Sequence, residues 1–213
     1  MALNKLKFNS INVTPAASEA IRFNSGANGL ETASAGGNLI KIASATASSS
    51  SSVSFTSGID STYKEYIFIF NNIHPATDGA DFTFNLSIDS GSNYNVTKTS
   101  SFFRAYHYES DASGLGYDGG GDLAQSTGYQ VLYQAIGNDN DQSGPGFLHL
   151  FDPSNTTFVK HFIANMQFYG NGDFSMNTFI GGYGNTTSAI NAIDFKMSSG
   201  NIDAGTITMY GVS

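Results

Sequence analysis

Four histidines, His74, His107, His149 and His161, are the side chains best suited to acid–base or metal chemistry in a chain that has no cysteine. None stands in an H-x-E or H-E-x-x-H pattern, the spacings that put ligands and base on one face. His107, His149 and His161 fall in stretches that read as strands, so two could meet across sheets, although ordinary hydrogen-bonded histidines are the simpler expectation. Asn138, Asp139, Asn140 and Asp141, within GNDNDQSG (137–144), offer clustered oxygen ligands of the kind calcium takes. The run does not fit the EF-hand loop, and a solvated hairpin loop is expected instead. SGPGF (143–147) lacks the nucleophile of a G-x-S-x-G elbow, and GLGYDGGGD (114–122) has no lysine and precedes no helix, which rules out a P-loop. A retaining glycosidase needs two carboxylates about 5 Å apart, but the acidic residues here lie mostly in turns and sequence cannot pair them. The expectation is therefore no catalytic, cofactor or metal site, and a protein that is not an enzyme. Five N-x-S/T sequons begin at Asn12, Asn85, Asn95, Asn155 and Asn185, a number that chance supplies in a chain this rich in Asn, Ser and Thr.

The better functional hint is aromatic. Tyr106, Tyr108, Tyr117, Tyr129 and Tyr133 crowd into 101–136. Tyrosines flanked by Asp and Asn bind sugars by stacking and hydrogen bonding, and they also populate subunit interfaces. Tyr106 and Tyr108 are the candidates for a glycan site or an interface, with interface and core roles the more ordinary reading.

The elements that must position these residues are strands. DFTFNLSI (81–88) alternates strictly, with Phe82, Phe84, Leu86 and Ile88 on one face and Asp81, Thr83, Asn85 and Ser87 on a face expected to meet solvent or a polar interface. YKEYIFIF (63–70), SFFRAYHY (101–108), YQVLYQAI (129–136), GFLHLFD (146–152), FSMNTFI (174–180) and AINAIDFKM (189–197) are rich in the aromatic and β-branched residues that strands favour. FVKHFIANMQF (158–168) puts Phe158, Lys160, Phe162, Ala164, Met166 and Phe168 on one face, with Lys160 near the strand start, where its stem can snorkel outward. The chain closes on GNIDAGTITMYGVS (200–213), another alternating strand. Polar turns separate these runs, and helical periodicity is missing. Eight to ten strands over 46–213 predict an all-β, antiparallel β-sandwich. A jelly roll is the expected arrangement, because its first and last strands lie together and a terminal strand is then tied down.

Residues 1–45 read as an N-terminal extension. KFNS (7–10) recurs as RFNS (22–25), and the segment's apolar residues are too few for a core of its own. Docking on another chain is the favoured reading, with Phe8, Arg22 and Phe23 as anchoring residues. TPAASEAI (14–21) suggests one short helical turn, and SATASSSSS (44–52) is a low-complexity boundary that reads as a linker or as the flank of a strand.

Charge narrows the partners. Only 12% of residues are charged, about half the usual quarter. Residues 1–45 carry four basic and two acidic side chains, a net of +2, while 46–213 carry five basic and fifteen acidic, a net of −10. An acidic body repels phosphate backbones, so nucleic acid is not an expected partner. No apolar run approaches the roughly 20 residues of a membrane span, and MALNKLKFNSINVT is not a secretory signal.

The stretches SFTSGIDSTYKEYIFIFNNIHPATDGADFTFNLSIDSGSNYN, LHLFDPSNTTFVKHF and NTTSAINAIDFKMSSGNIDAGTITMYGVS resemble the β-rich domain of virion proteins of tailed bacteriophages, especially those of marine bacteria, and the similarity covers about residues 53–213. One departure is the absence of a Trp frequent in that group, with Gly181–Gly184 in its place. The resemblance implies a non-enzymatic structural protein on the virion surface, either a capsid decoration or a tail fibre. It implies many copies, usually trimeric, attached to capsid or tail proteins by the N-terminal segment, with no cofactor. A host-glycan binding module of a tail fibre is the alternative, and a glycan depolymerase the more distant one.

Overall fold

In the computed structural model, residues 19–23, 26, 28, 30–34 and 39–213 are described, and among them there is no helix. The chain divides into two compact units, Met1–Ile40 and Lys41–Ser213. In the first, β1 (Glu19–Phe23) and β2 (Leu30–Ser34) form an antiparallel pair with Arg22 opposite Glu31 and Phe23 opposite Leu30. Glu19–Ile21 are thus strand where a helical turn was expected, and Phe8 and the KFNS repeat lie outside the described residues.

The second unit is built from β3 (Leu39–Ser50), β4 (Val53–Phe55), β5 (Glu65–Pro75), β6 (Ala80–Ser87), β7 (Lys98–Tyr108), β8 (Ser113–Tyr117), β9 (Gln130–Ile136), β10 (Gly144–Phe151), β11 (Lys160–Gly170), β12 (Phe174–Gly184), β13 (Ala192–Met197) and β14 (Ile202–Val212). One layer runs β3-β14-β5-β10-β11-β12-β7-β8 and the other β9-β6-β13-β4. They touch through a single ladder pair, Gly170 of β11 with Ile136 of β9, so the antiparallel sheet folds on itself into a barrel-like sandwich. Within it, β3-β14-β5-β10 and β4-β13-β6-β9 form a nested order, in which the chain steps from one layer to the other at β3–β4, β4–β5, β5–β6, β9–β10 and β13–β14, among other crossings. That order is compatible with a jelly roll. The β7–β8 and β11–β12 hairpins widen the first layer by four strands.

The final strand lies inside this layer, between β3 and β5. It pairs with β5 from Ile202 to Val212, interrupted by a bulge at Gly205. There φ is +125° and a Cβ would stand 2.8 Å from the Asn72 carbonyl, so only glycine fits. On its other side, Ser44 Oγ meets Thr208 Oγ1 at 3.0 Å and Ser49 Oγ donates to Asp203 Oδ1 at 3.0 Å. The Ser-rich run after residue 44 is therefore strand up to Ser50, not a linker: hydroxyls substitute for apolar contacts along this outer strand.

Aromatic packing holds the layers together. Phe195 of β13 lies within 6.4 Å, centroid to centroid, of Phe55, Phe68, Phe70, Phe82 and Phe84. Three sequence expectations need correction. Phe158 and Ile88 lie beyond the strand ends and are exposed, because alternation alone does not mark where pairing stops. Lys160 is buried, and its ammonium donates to the Phe158 carbonyl at 2.7 Å rather than reaching into water. Thr83, Asn85 and Ser87, on the face of β6 expected to meet solvent or a polar interface, are buried as well. Connecting loops cover them, and Asn85 Nδ2 donates to the Tyr94 carbonyl at 2.6 Å and the Thr127 carbonyl at 3.0 Å.

Candidate functional site

Two surface features of the sandwich could bind something. The first is a cleft of about 550 Å³ at one end of the wide layer, among its lining residues His107, Tyr108, Glu109, Asp111, Tyr169 and Phe174. Three turns build it. The β7–β8 turn is closed by Tyr108 N–H donating to the Ala112 carbonyl at 2.8 Å, and it is tied to the β11–β12 turn by Glu109 N–H donating to the Asp173 carbonyl at 3.0 Å. The β9–β10 loop joins them through Ser143, whose carbonyl accepts from Tyr169 N–H at 3.2 Å. The Tyr108 and Phe174 rings lie 4.9 Å apart and form an aromatic wall, with buried Phe168 as floor.

A tyrosine organises the polar side. Tyr169 Oη lies 3.2 Å from Asp173 Oδ1 and 3.4 Å from Glu109 Oε1. Loss of solvent around the hydroxyl, then the charges of Asp173 and Glu109, push Tyr169 up to about 12, so it stays a donor near neutrality. His107 Nε2 meets Asp111 Oδ1 at 3.2 Å at the rim.

The second feature is the outer face of the wide layer. Phe147 on β10, Ile163 on β11, Phe179 on β12 and Phe103 on β7 line a shallow trough of about 510 Å³ with Ser101, Asn165 and Gly181. Ile163 is 53% exposed and Phe179 41%, although both sit in the interior of the layer. The trough's lining residues carry no charge. Beside Phe103, Leu115 and Tyr117 stand exposed on β8, which among the described residues pairs only with β7. The glycine-rich 114–117 thus belongs to an edge strand.

No family model, curated protein or solved structure matches the chain. The reading of the site rests on its own chemistry.

The cleft combines two aromatic rings, tilted at 52° to each other, with carboxylate and amide acceptors, the pairing that a ring bearing hydroxyl groups needs. The trough offers uncharged apolar area, the chemistry of a subunit interface. Of the tyrosines singled out from sequence, Tyr108 lines the cleft, whereas Tyr106 packs partly buried against the core beside it, rings 5.7 Å apart. Tyr133 is wholly buried, Tyr129 donates to Asp194, and Tyr117 is on β8. Sequence reasoning missed Tyr169, Asp173 and Glu109, for which the only signal is the tight turn YGNGD (169–173) between two strands. The histidines do not converge: among the described residues no group of three His, Asp or Glu side chains could hold a metal, and His149 pairs with Glu65. In 137–144, Asp139 and Gln142 bond to each other and close the loop. Of the anchoring residues, Phe23 is 71% exposed on β1, Arg22 sits beside it in the strand, and Phe8 is outside the described residues. Among the described residues no helix is long and apolar enough to cross a membrane.

Proposed function

We propose that this chain is a non-enzymatic structural protein of a bacteriophage virion, displayed on the particle surface as a capsid decoration or tail appendage and assembled with copies of itself, a homotrimer being the expected state. The observation that carries the self-assembly reading is the uncharged trough of Phe103, Phe147, Ile163 and Phe179. A second copy is its occupant because the sandwich carries a net of −10, with five basic and fifteen acidic residues over 46–213. Copies of so acidic a body meet at least electrostatic cost through a face without charge. Attachment to capsid or tail proteins falls to the N-terminal segment, with Phe8, Arg22 and Phe23. The virion assignment is supported by the resemblance of 53–213 to tailed-phage proteins.

The experiment is mass spectrometry on gradient-purified particles, with the chain counted against the major capsid protein. A count comparable with that protein marks a decoration, and a far lower one marks a tail appendage. Failure of the chain to travel with particles overturns the proposal.

A second reading is favoured by the cleft: host-glycan binding through Tyr108, Tyr169 and the flanking carboxylates. A glycan array probed with the whole protein tests it.

A further inference from the structure

Lys98, the first residue of β7, is buried with no surface exposed. Its Nζ donates to Asn85 Oδ1 and, at 2.8 Å, to the Val96 carbonyl. No carboxylate pairs with it among the described residues, so only two neutral oxygens offset the loss of water around an ammonium. Burial pushes Lys98 down to about 7, and the free amine is therefore well populated near neutrality. A desolvated lysine amine is a nucleophile.

Its neighbour is a held electrophile. Asn85 is also fully buried. Its Nδ2 is fixed by the Tyr94 and Thr127 carbonyls, and its Oδ1 accepts the Leu86 N–H at 2.9 Å. That N–H polarises the amide carbon and can stabilise negative charge on the oxygen during attack. Asp194 is directly opposite Asn85 in the β13–β6 ladder, which places the two Cβ atoms about 5 Å apart. It is the one acidic side chain among the buried described residues, oriented by Ser54 Oγ at 2.6 Å and Tyr129 Oη at 2.9 Å.

We propose that Lys98 and Asn85 are joined by an intramolecular isopeptide bond. Lys98 Nζ attacks Asn85 Cγ, the Nζ–Cγ amide forms, the Cγ–Nδ2 bond breaks, and the nitrogen leaves as ammonia with the proton lost by Nζ. No oxidant or other reactant is consumed. That proton passes from Nζ to the leaving nitrogen, and Asp194, opposite Asn85 in the ladder, is the candidate group to relay it. Proximity supplies the rate, since both partners are held in contact and buried from solvent. The bond ties β6, in the four-stranded layer, to β7, in the eight-stranded layer. In a chain without cysteine it would do for the sandwich what a disulfide does elsewhere, independently of redox state.

Intact-mass spectrometry of the full chain, kept at about pH 8 where a lysine depressed by burial is neutral, tests this directly. The expected mass is that of the sequence less one ammonia. A tryptic digest should give one internally looped peptide spanning 65–104, lighter than its sequence by one ammonia, with no cleavage after Lys98. Lys98→Met and Asn85→Ala should each have the full mass of their own sequences, and Asp194→Asn should slow the loss of ammonia while leaving the fold's circular dichroism unchanged. Full mass in the native protein overturns the proposal. So does ammonia loss that persists in Lys98→Met, which would place it at a succinimide elsewhere. The peptide map needs no variant, so a variant that fails to fold leaves the test intact.

Discussion

Phe103 and Phe179 face each other across β7 and β12 on the outside of the sandwich, rings stacked at 5.2 Å and 12°. Such a pair contributes about 0.5–1.5 kcal/mol beyond its buried area, yet here one side of it stays open to water. If the trough is an interface, Ile163→Lys should convert the assembled protein to a monomer. The monomer's own stability should change by no more than about 0.5 kcal/mol, because the site lies on the surface of a single copy. Sedimentation velocity reads the first effect and denaturant unfolding the second. An unchanged sedimentation coefficient would remove the trough from the assembly.

Phe195→Ala should be severe. The ring meets five other phenylalanines at the centre of the core, and its removal leaves a cavity that strands on both sides cannot close. The expected loss is about 3–5 kcal/mol, measured as a fall in urea midpoint at constant slope.

In the cleft, Tyr108→Ala removes half of the aromatic wall and Tyr169→Phe removes only the shared hydroxyl. If the cleft holds a glycan, the first should weaken binding about tenfold or more and the second less, as fits one lost hydrogen bond of about 1 kcal/mol. Equal binding by wild type and Tyr108→Ala on an array would exclude this cleft as the glycan site.

Acid should loosen the β6–β7 connection. Asp89 is held down at about 2, first by the Ser87 hydroxyl and then by the Asn93 side chain and N–H. Its folded value lies below the unfolded one, so its contribution is complete above about pH 4 and is lost as pH falls toward 2. Melting temperature should drop across that window, and the drop should be shallower in Asp89→Asn.

A chain lacking residues 1–38 should keep the sandwich, whose compact unit begins at Lys41, and lose attachment to particles. Co-sedimentation with particles depleted of the protein is the measurement. Normal attachment would remove the anchoring role from Phe8, Arg22 and Phe23.

Much of the fold is legible in particular residues. Phe82, Phe84 and Leu86 alternate because one face of the strand meets the apolar core, and they are buried as that pattern requires, although the polar residues between them are buried too. Tyr108 was legible as a binding candidate because its ring stands beside acidic turn residues. Tyr169 was not, since nothing in YGNGD says that Glu109, sixty residues earlier, shares its hydroxyl.

Alternation, turn residues and charge determined by themselves that this is an antiparallel β-sandwich with an acidic body, because those signals are local and each strand carries its own. The tertiary structure decided which polar residues are buried, which turns meet to form the cleft, and that Lys98 touches Asn85. Those outcomes depend on contacts between distant segments. In a sandwich of this topology the partner of each face is chosen by strand order and loop path, and neither is written in the residues that end up touching.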